Sequence, residues 1–306
     1  MKTKASLGIR ILLTISLLLG ASNVLAGPYG EIVVFGDSLS DNGNYVLVDN
    51  QPMPDPESYW EGRFSNGPVW VEYLTDPDHF DTNLTDRALG GAQTDGLTPP
   101  GLVEQVRAHI VAARPPLSAT NLYVIWIGGN DFLNGDGYFQ RAVDNINEAV
   151  TELADNVAMS MLILNLPDLG TIPDTLGSTE APLATAFSVS FNAALANMID
   201  AFSTDHPGID IYEFDIDAFF VEVHNDPSAF GFTNVTEPAP KLPPPNNFDS
   251  GGYLFWDDVH PTTRIHALIA DRVYADLSAT LPADTPDIPA QENESSSCFI
   301  QAMAWD

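Results

Sequence analysis

Val33-Val34-Phe35-Gly36-Asp37-Ser38-Leu39-Ser40-Asp41-Asn42-Gly43-Asn44 is the stretch that decides how this chain is read. It opens on a short apolar run, residues 32–35, of the kind that forms a buried strand. Gly36 closes the run and Asp37-Ser38 follows at once. A serine just past a buried strand lies at the carboxyl edge of a sheet, where open α/β sheets place their ligand crevices. The turn formers Asp41-Asn42-Gly43-Asn44 come next and suit a turn into a helix. The reading predicts an exposed Ser38 on a rigid strand, near free backbone N–H groups, as a nucleophile requires.

Outward from this stretch, apolar runs alternate with amphipathic segments. Strands are predicted over residues 84–89, 122–127, 161–164 and 209–214. Helices are predicted to start near Pro68 and to cover about 102–113, 138–158, 182–202, 218–224 and 262–277. The run at 122–127 is apolar throughout, as a strand covered on both faces should be. Repeated strand–helix units imply an α/β fold, a three-layer α/β/α sandwich on a mainly parallel five-strand sheet. Residues 226–252 carry six prolines and no period, and read as a long surface loop.

Residues 1–26 read as a secretory leader: Lys2, Lys4 and Arg10, an apolar core over 11–19, then Val24-Leu25-Ala26. No other stretch reads as long enough to span a membrane, so an exported, soluble domain over 27–280 is expected. Residues 281–306 have the composition of a flexible polar tail. The formal charge is −31, and without the leader, which holds three of the 11 Lys and Arg and none of the 42 acids, it becomes −34. Such a surface repels nucleic acid and anionic membranes. It suits a salty medium. The single cysteine, Cys298, excludes an internal disulfide framework. A monomer with no stable membrane insertion is expected.

Neither a glycine-rich phosphate loop, nor a Cys/His metal spacing, nor G-x-S-x-G occurs. Three other stretches complete a different constellation. In Phe255-Trp256-Asp257-Asp258-Val259-His260-Pro261-Thr262, Asp257 stands three residues before His260 and can fold back onto its ring. That makes His260 a general base and Asp257 its orienter. The other five histidines lie in polar loops or helices and read as structural or solvated. Ala88-Leu89-Gly90-Gly91-Ala92 lets backbone approach a ligand, and Gly129-Asn130-Asp131 puts a carboxamide at the end of the central strand. Amide donors so placed make an oxyanion hole.

On these four blocks, FGDSLSD, ALGGA, GGND and WDDVHPT, the chain resembles the GDSL lipase/esterase family, also called SGNH hydrolases. GRFSNGPVW and LNLPDLG resemble its branch of secreted bacterial phospholipases, haemolysin-type lipases and short-chain or choline esterases. The resemblance spans about residues 31–278. It implies a flavodoxin-like sandwich and no metal or cofactor. Ser38, His260 and Asp257 would form the triad. The Ser38 N–H, the Gly91 N–H (Gly90 as fallback) and the Asn130 side chain would form the oxyanion hole. The substrate would be a lipid or small-molecule ester, with a carbohydrate O-acetyl ester, or a non-catalytic binding module, as alternatives. Trp60, Phe64, Phe132, Phe230 and Phe232 are candidates to line an acyl or choline pocket.

Overall fold

The structure, a computed structural model, describes residues 28–45, 54–135, 137–241 and 248–281. The residues expected to form a leader (1–26), Cys298 and the rest of the chain after residue 281 lie outside the described residues.

Five strands, β1 (Glu31–Gly36), β2 (Asn83–Asp86), β3 (Leu122–Trp126), β4 (Ser160–Leu164) and β5 (Asp210–Phe214), form one sheet in the order β2-β1-β3-β4-β5. Every neighbouring pair is parallel. All five residues of β3 are buried, which explains its unbroken apolar run. Between them run α1 (Trp70–Leu74), α2 (Leu102–Ala113), the short α3 (Gly129–Leu133), α4 (Phe139–Asp155), α5 (Ala181–Asp205), α6 (Ile216–Asn225) and, last, α7 (Thr263–Thr280).

Alternation along β1 divides the core in two. Ile32 and Val34 join Trp70 of α1, Phe220 of α6 and Ile265 and Ile269 of α7 on one face of the sheet. Val33 and Phe35 join α2, α4 and α5 on the other. The result is the three-layer α/β/α sandwich. Its order places a topological switch between β1 and β3, because the chain leaves β1 outward to β2 and then returns across it. Ligand crevices in such sheets open at the carboxyl ends of the strands flanking the switch.

Two expectations are corrected. Residues 226–252 are not a plain loop. They hold a 3₁₀ turn (Pro227–Phe230) and a strand β6 (Asn234–Pro238), which pairs in parallel with β7 (Tyr253–Phe255). No residue of β6 is buried, so the strand leaves no apolar alternation in the sequence. Second, α5 has the length and composition of a membrane span, with a mean hydropathy of 1.2. Its Phe187, Phe191, Leu195, Ile199 and Phe202 are buried in the core on one face of the sheet, while Leu183 and Val189 are exposed.

Candidate active site

Ser38 sits in the turn that leaves β1. The Asp37 carbonyl accepts from the N–H of Ser40 and of Asp41, both at 3.1 Å, and the Asp37 side chain accepts from Leu39 N–H at 3.0 Å. These bonds fix the turn and leave the Ser38 N–H without a partner among the described residues. Ser38 is 7% exposed, not open as expected. The physical reason is tertiary: His260 and an apolar wall of Leu39, Leu133, Leu166, Leu169, Ile172 and Phe220 close over the end of the sheet.

His260 comes from the segment between β7 and α7. Its main chain is tied back, with Trp256 N–H donating to the His260 carbonyl at 2.7 Å. Asp257 folds onto it as the three-residue spacing predicts. Its Oδ1 accepts from the backbone N–H of Val259 at 2.8 Å and of His260 at 2.6 Å. Its Oδ2 lies 2.8 Å from His260 Nδ1, and His260 Nε2 lies 2.8 Å from Ser38 Oγ. Burial alone would raise the Asp257 carboxyl. The His260 ring, the His260 backbone N–H and the Tyr59 hydroxyl together outweigh burial and hold it well below the usual range. Asp257 therefore stays ionised.

The second block is clamped from two sides. Asp41 Oδ2 accepts from Gly90 N–H at 2.7 Å, and Asn130 Nδ2 donates to the Ala92 carbonyl at 3.0 Å. The N–H of Gly90 is thus spent, which removes it as an oxyanion donor. Gly91, at φ +75°, adopts the left-handed backbone that glycine tolerates, and its N–H has no partner among the described residues. One hydrogen of the Asn130 amide is likewise left over. Below this, Asp131 accepts from Thr94 N–H at 3.0 Å and from Thr94 Oγ1 at 2.6 Å, joining the second and third blocks.

A crevice of about 50 Å³ opens beside Ser38 and Asn130. None of the five aromatic residues expected to line an acyl pocket does so. The Phe64 ring lies 5.1 Å from the His260 ring, and Phe132 packs on Phe187 at 5.3 Å. Phe230 and Phe232 belong to the core, and Trp60 carries the Arg63 guanidinium at 4.9 Å. The lining comes instead from Leu39, Leu133, Leu166, Leu169 and Ile172, with Trp126, Phe220 and Phe255 as its aromatics. A larger groove of about 540 Å³ runs between α4 and α5, and none of the candidate site residues lines it.

Two residues near this site escaped the sequence reading. Tyr59 donates its hydroxyl to Asp257 Oδ2 at 2.5 Å, and Asp41 anchors Gly90 across 49 positions. Neither contact leaves a local signature, since each joins segments far apart in the chain.

A five-strand parallel sandwich whose switch-point crevice holds a serine beside a histidine defines a class, the α/β/α ester hydrolases with a Gly-Asp-Ser turn. The family profile described as GDSL-like Lipase/Acylhydrolase matches residues 32–273, and the chain belongs to that family, a family of carboxylic ester hydrolases. The thermolabile hemolysin of Vibrio parahaemolyticus is 28% identical over 263 residues, covering 79% of this chain and 62% of the hemolysin. A phosphatidylcholine-sterol acyltransferase of Aeromonas hydrophila is 26% identical over 300 residues, covering 79% of this chain and 88% of the relative. In fold, the chain is similar to an acetylxylan esterase from Geobacillus stearothermophilus. The TM-score is 0.50 at 15% identity, over 83% of this chain and 96% of the esterase.

Proposed function

We propose that this chain is an exported serine ester hydrolase acting on a lipid or short-chain acyl ester. The observation that carries the proposal is the unbroken relay Ser38 Oγ–His260 Nε2 and His260 Nδ1–Asp257 Oδ2, each link 2.8 Å long. Ser38 attacks the ester carbonyl as its proton passes to His260 Nε2. Asp257 holds the ring in the tautomer that bears its proton on Nδ1 and stabilises the imidazolium that results. The oxyanion of the tetrahedral intermediate takes hydrogen bonds from Ser38 N–H, Gly91 N–H and Asn130 Nδ2. The imidazolium gives its proton to the leaving alkoxide, and the acyl group stays on Ser38 as an ester. Water, deprotonated by His260, then releases the acid and restores the hydroxyl.

The largely apolar wall favours a hydrocarbon acyl group over a polar one, since a hydroxylated chain buried against it would lose hydrogen bonds to water. The small crevice favours a short chain, and on that ground an O-acetyl ester is the second reading. The leader-like residues 1–26 support export.

The test is a panel of p-nitrophenyl esters of rising chain length, run beside a choline ester and acetylated xylan. Wild type should cleave short esters, and Ser38→Ala should lose roughly 10³-fold or more in kcat while still folding. A Ser38→Ala protein with wild-type turnover, or no labelling of Ser38 by a fluorophosphonate, would overturn the proposal.

A further inference from the structure

Asp257 makes one contact that the triad does not need. Its Oδ1 is fixed by two backbone N–H groups of its own turn. Its Oδ2 accepts from His260 and also from the hydroxyl of Tyr59, which lies 198 positions earlier in the chain. We propose that Tyr59 is a positioning residue for the hydrolysis described above, holding the Asp257 carboxylate so that its one remaining direction points at His260 Nδ1. The inference rests on the hydrolase reading.

The geometry argues for a dedicated contact. Three donors besides the imidazole surround the carboxylate, and together they fix the rotation of its plane. Without the phenol, Oδ2 would be held by the histidine alone, and the ring it is meant to orient would become its only support. Tyr59 is itself secured. Its backbone N–H donates to the Asp55 carbonyl at 2.9 Å, and the neighbouring Ser58 carbonyl accepts from the Trp256 indole at 3.0 Å. Its ring lies 6.2 Å from that of Phe64, and the Lys241 ammonium sits 5.1 Å above it. Burial, and then the bonded carboxylate, push the phenol well above its ordinary range, so the hydroxyl remains a donor.

Several charges share this neighbourhood. Lys241 faces Asp257 and Asp258, and Asp258 and Asp55 face Tyr59. Asp37, from the nucleophile turn, and His266, from α7, face His260. The test therefore has to separate the phenol from this background. Tyr59→Phe keeps the ring and removes only the donor. A carboxylate that loses a donor holds an imidazolium more tightly.

In Tyr59→Phe, kcat should fall about tenfold with KM within twofold, and the acid limb of kcat/KM should move to higher pH. 3,5-Difluorotyrosine at position 59, a stronger donor of the same shape, should move that limb the other way. In an Asp257→Asn background, Tyr59→Phe should cost nothing further, because coupled groups do not add. The His260 Nδ1 proton resonance should move downfield in Tyr59→Phe whether or not an ester is cleaved. The ester panel reports separately on the hydrolase reading. An unchanged resonance and an unmoved limb would overturn the role of Tyr59. So would an equal loss in the Asp257→Asn background.

Discussion

Gly90 lies flush against the ring of Phe64: a Cβ at position 90 would stand 2.2 Å from Phe64 Cε2. The other edge of the story is His260, whose ring is 5.1 Å from that same phenyl ring. The two adjacent glycines therefore serve different ends. Gly91 meets a backbone demand, and Gly90 makes room for the aromatic that backs the imidazole.

Gly90→Ala should accordingly destabilise the protein by about 1–3 kcal/mol, the usual cost of overpacking a filled site. It should also lower kcat, because the Phe64 ring that must give way lies against His260. Chemical denaturation and the ester assay check both, and a variant with parent stability and turnover would refute the packing argument.

Asp257→Asn should leave the fold intact and reduce kcat roughly 10³–10⁴-fold, since an amide no longer specifies the tautomer of His260. Labelling of Ser38 by a fluorophosphonate should slow in parallel. A loss confined to KM would contradict the orienting role.

Asp37 is buried beside Ser38, and burial raises its carboxyl to about 7, opposed by the Leu39 N–H and His260. The folded state thus binds a proton more readily than the unfolded chain between about pH 4 and pH 7. Stability contributed by this group falls as pH rises through that window. Asp37→Asn, which removes the titration, should gain most over wild type at pH 8, with the gain shrinking toward pH 4. Thermal unfolding across pH decides this, and a gain that grew on acidification would show the sign to be wrong.

Leu133→Trp should narrow the crevice beside Ser38. The change should lower kcat/KM for propanoyl and butanoyl esters at least tenfold relative to acetyl, within the range of about 10–200-fold that a methylene contributes in an apolar pocket. An unchanged chain-length profile would place the acyl group elsewhere.

Much of the architecture was legible because residues such as Val33, Val124 and Ile163 sit in strands buried on both faces, where an unbroken apolar run is the only pattern that fits. The Asp257–His260 pairing was legible because it is local, closed within three residues. What escaped was decided by tertiary covering. Ser38 is exposed by its turn but buried by side chains arriving after β3 and β4. Phe64 is an aromatic near the site by sequence, yet its ring lies against the imidazole and does not line the crevice. Strand β6 has no buried face to imprint a period. Tyr59 meets Asp257 only because the two ends of the domain fold together.

That meeting of ends has a consequence for timing. Thr263, the first residue of α7, donates its N–H to Asn66 and its hydroxyl to the Pro68 carbonyl, both at 2.8 Å, so the closing helix docks on a segment made some two hundred residues earlier. Until that docking, Ser38 lacks the imidazole that lies 2.8 Å from its hydroxyl in the finished fold. The pairing of Ser38 with His260 is therefore completed only as the two ends of the described domain pack together.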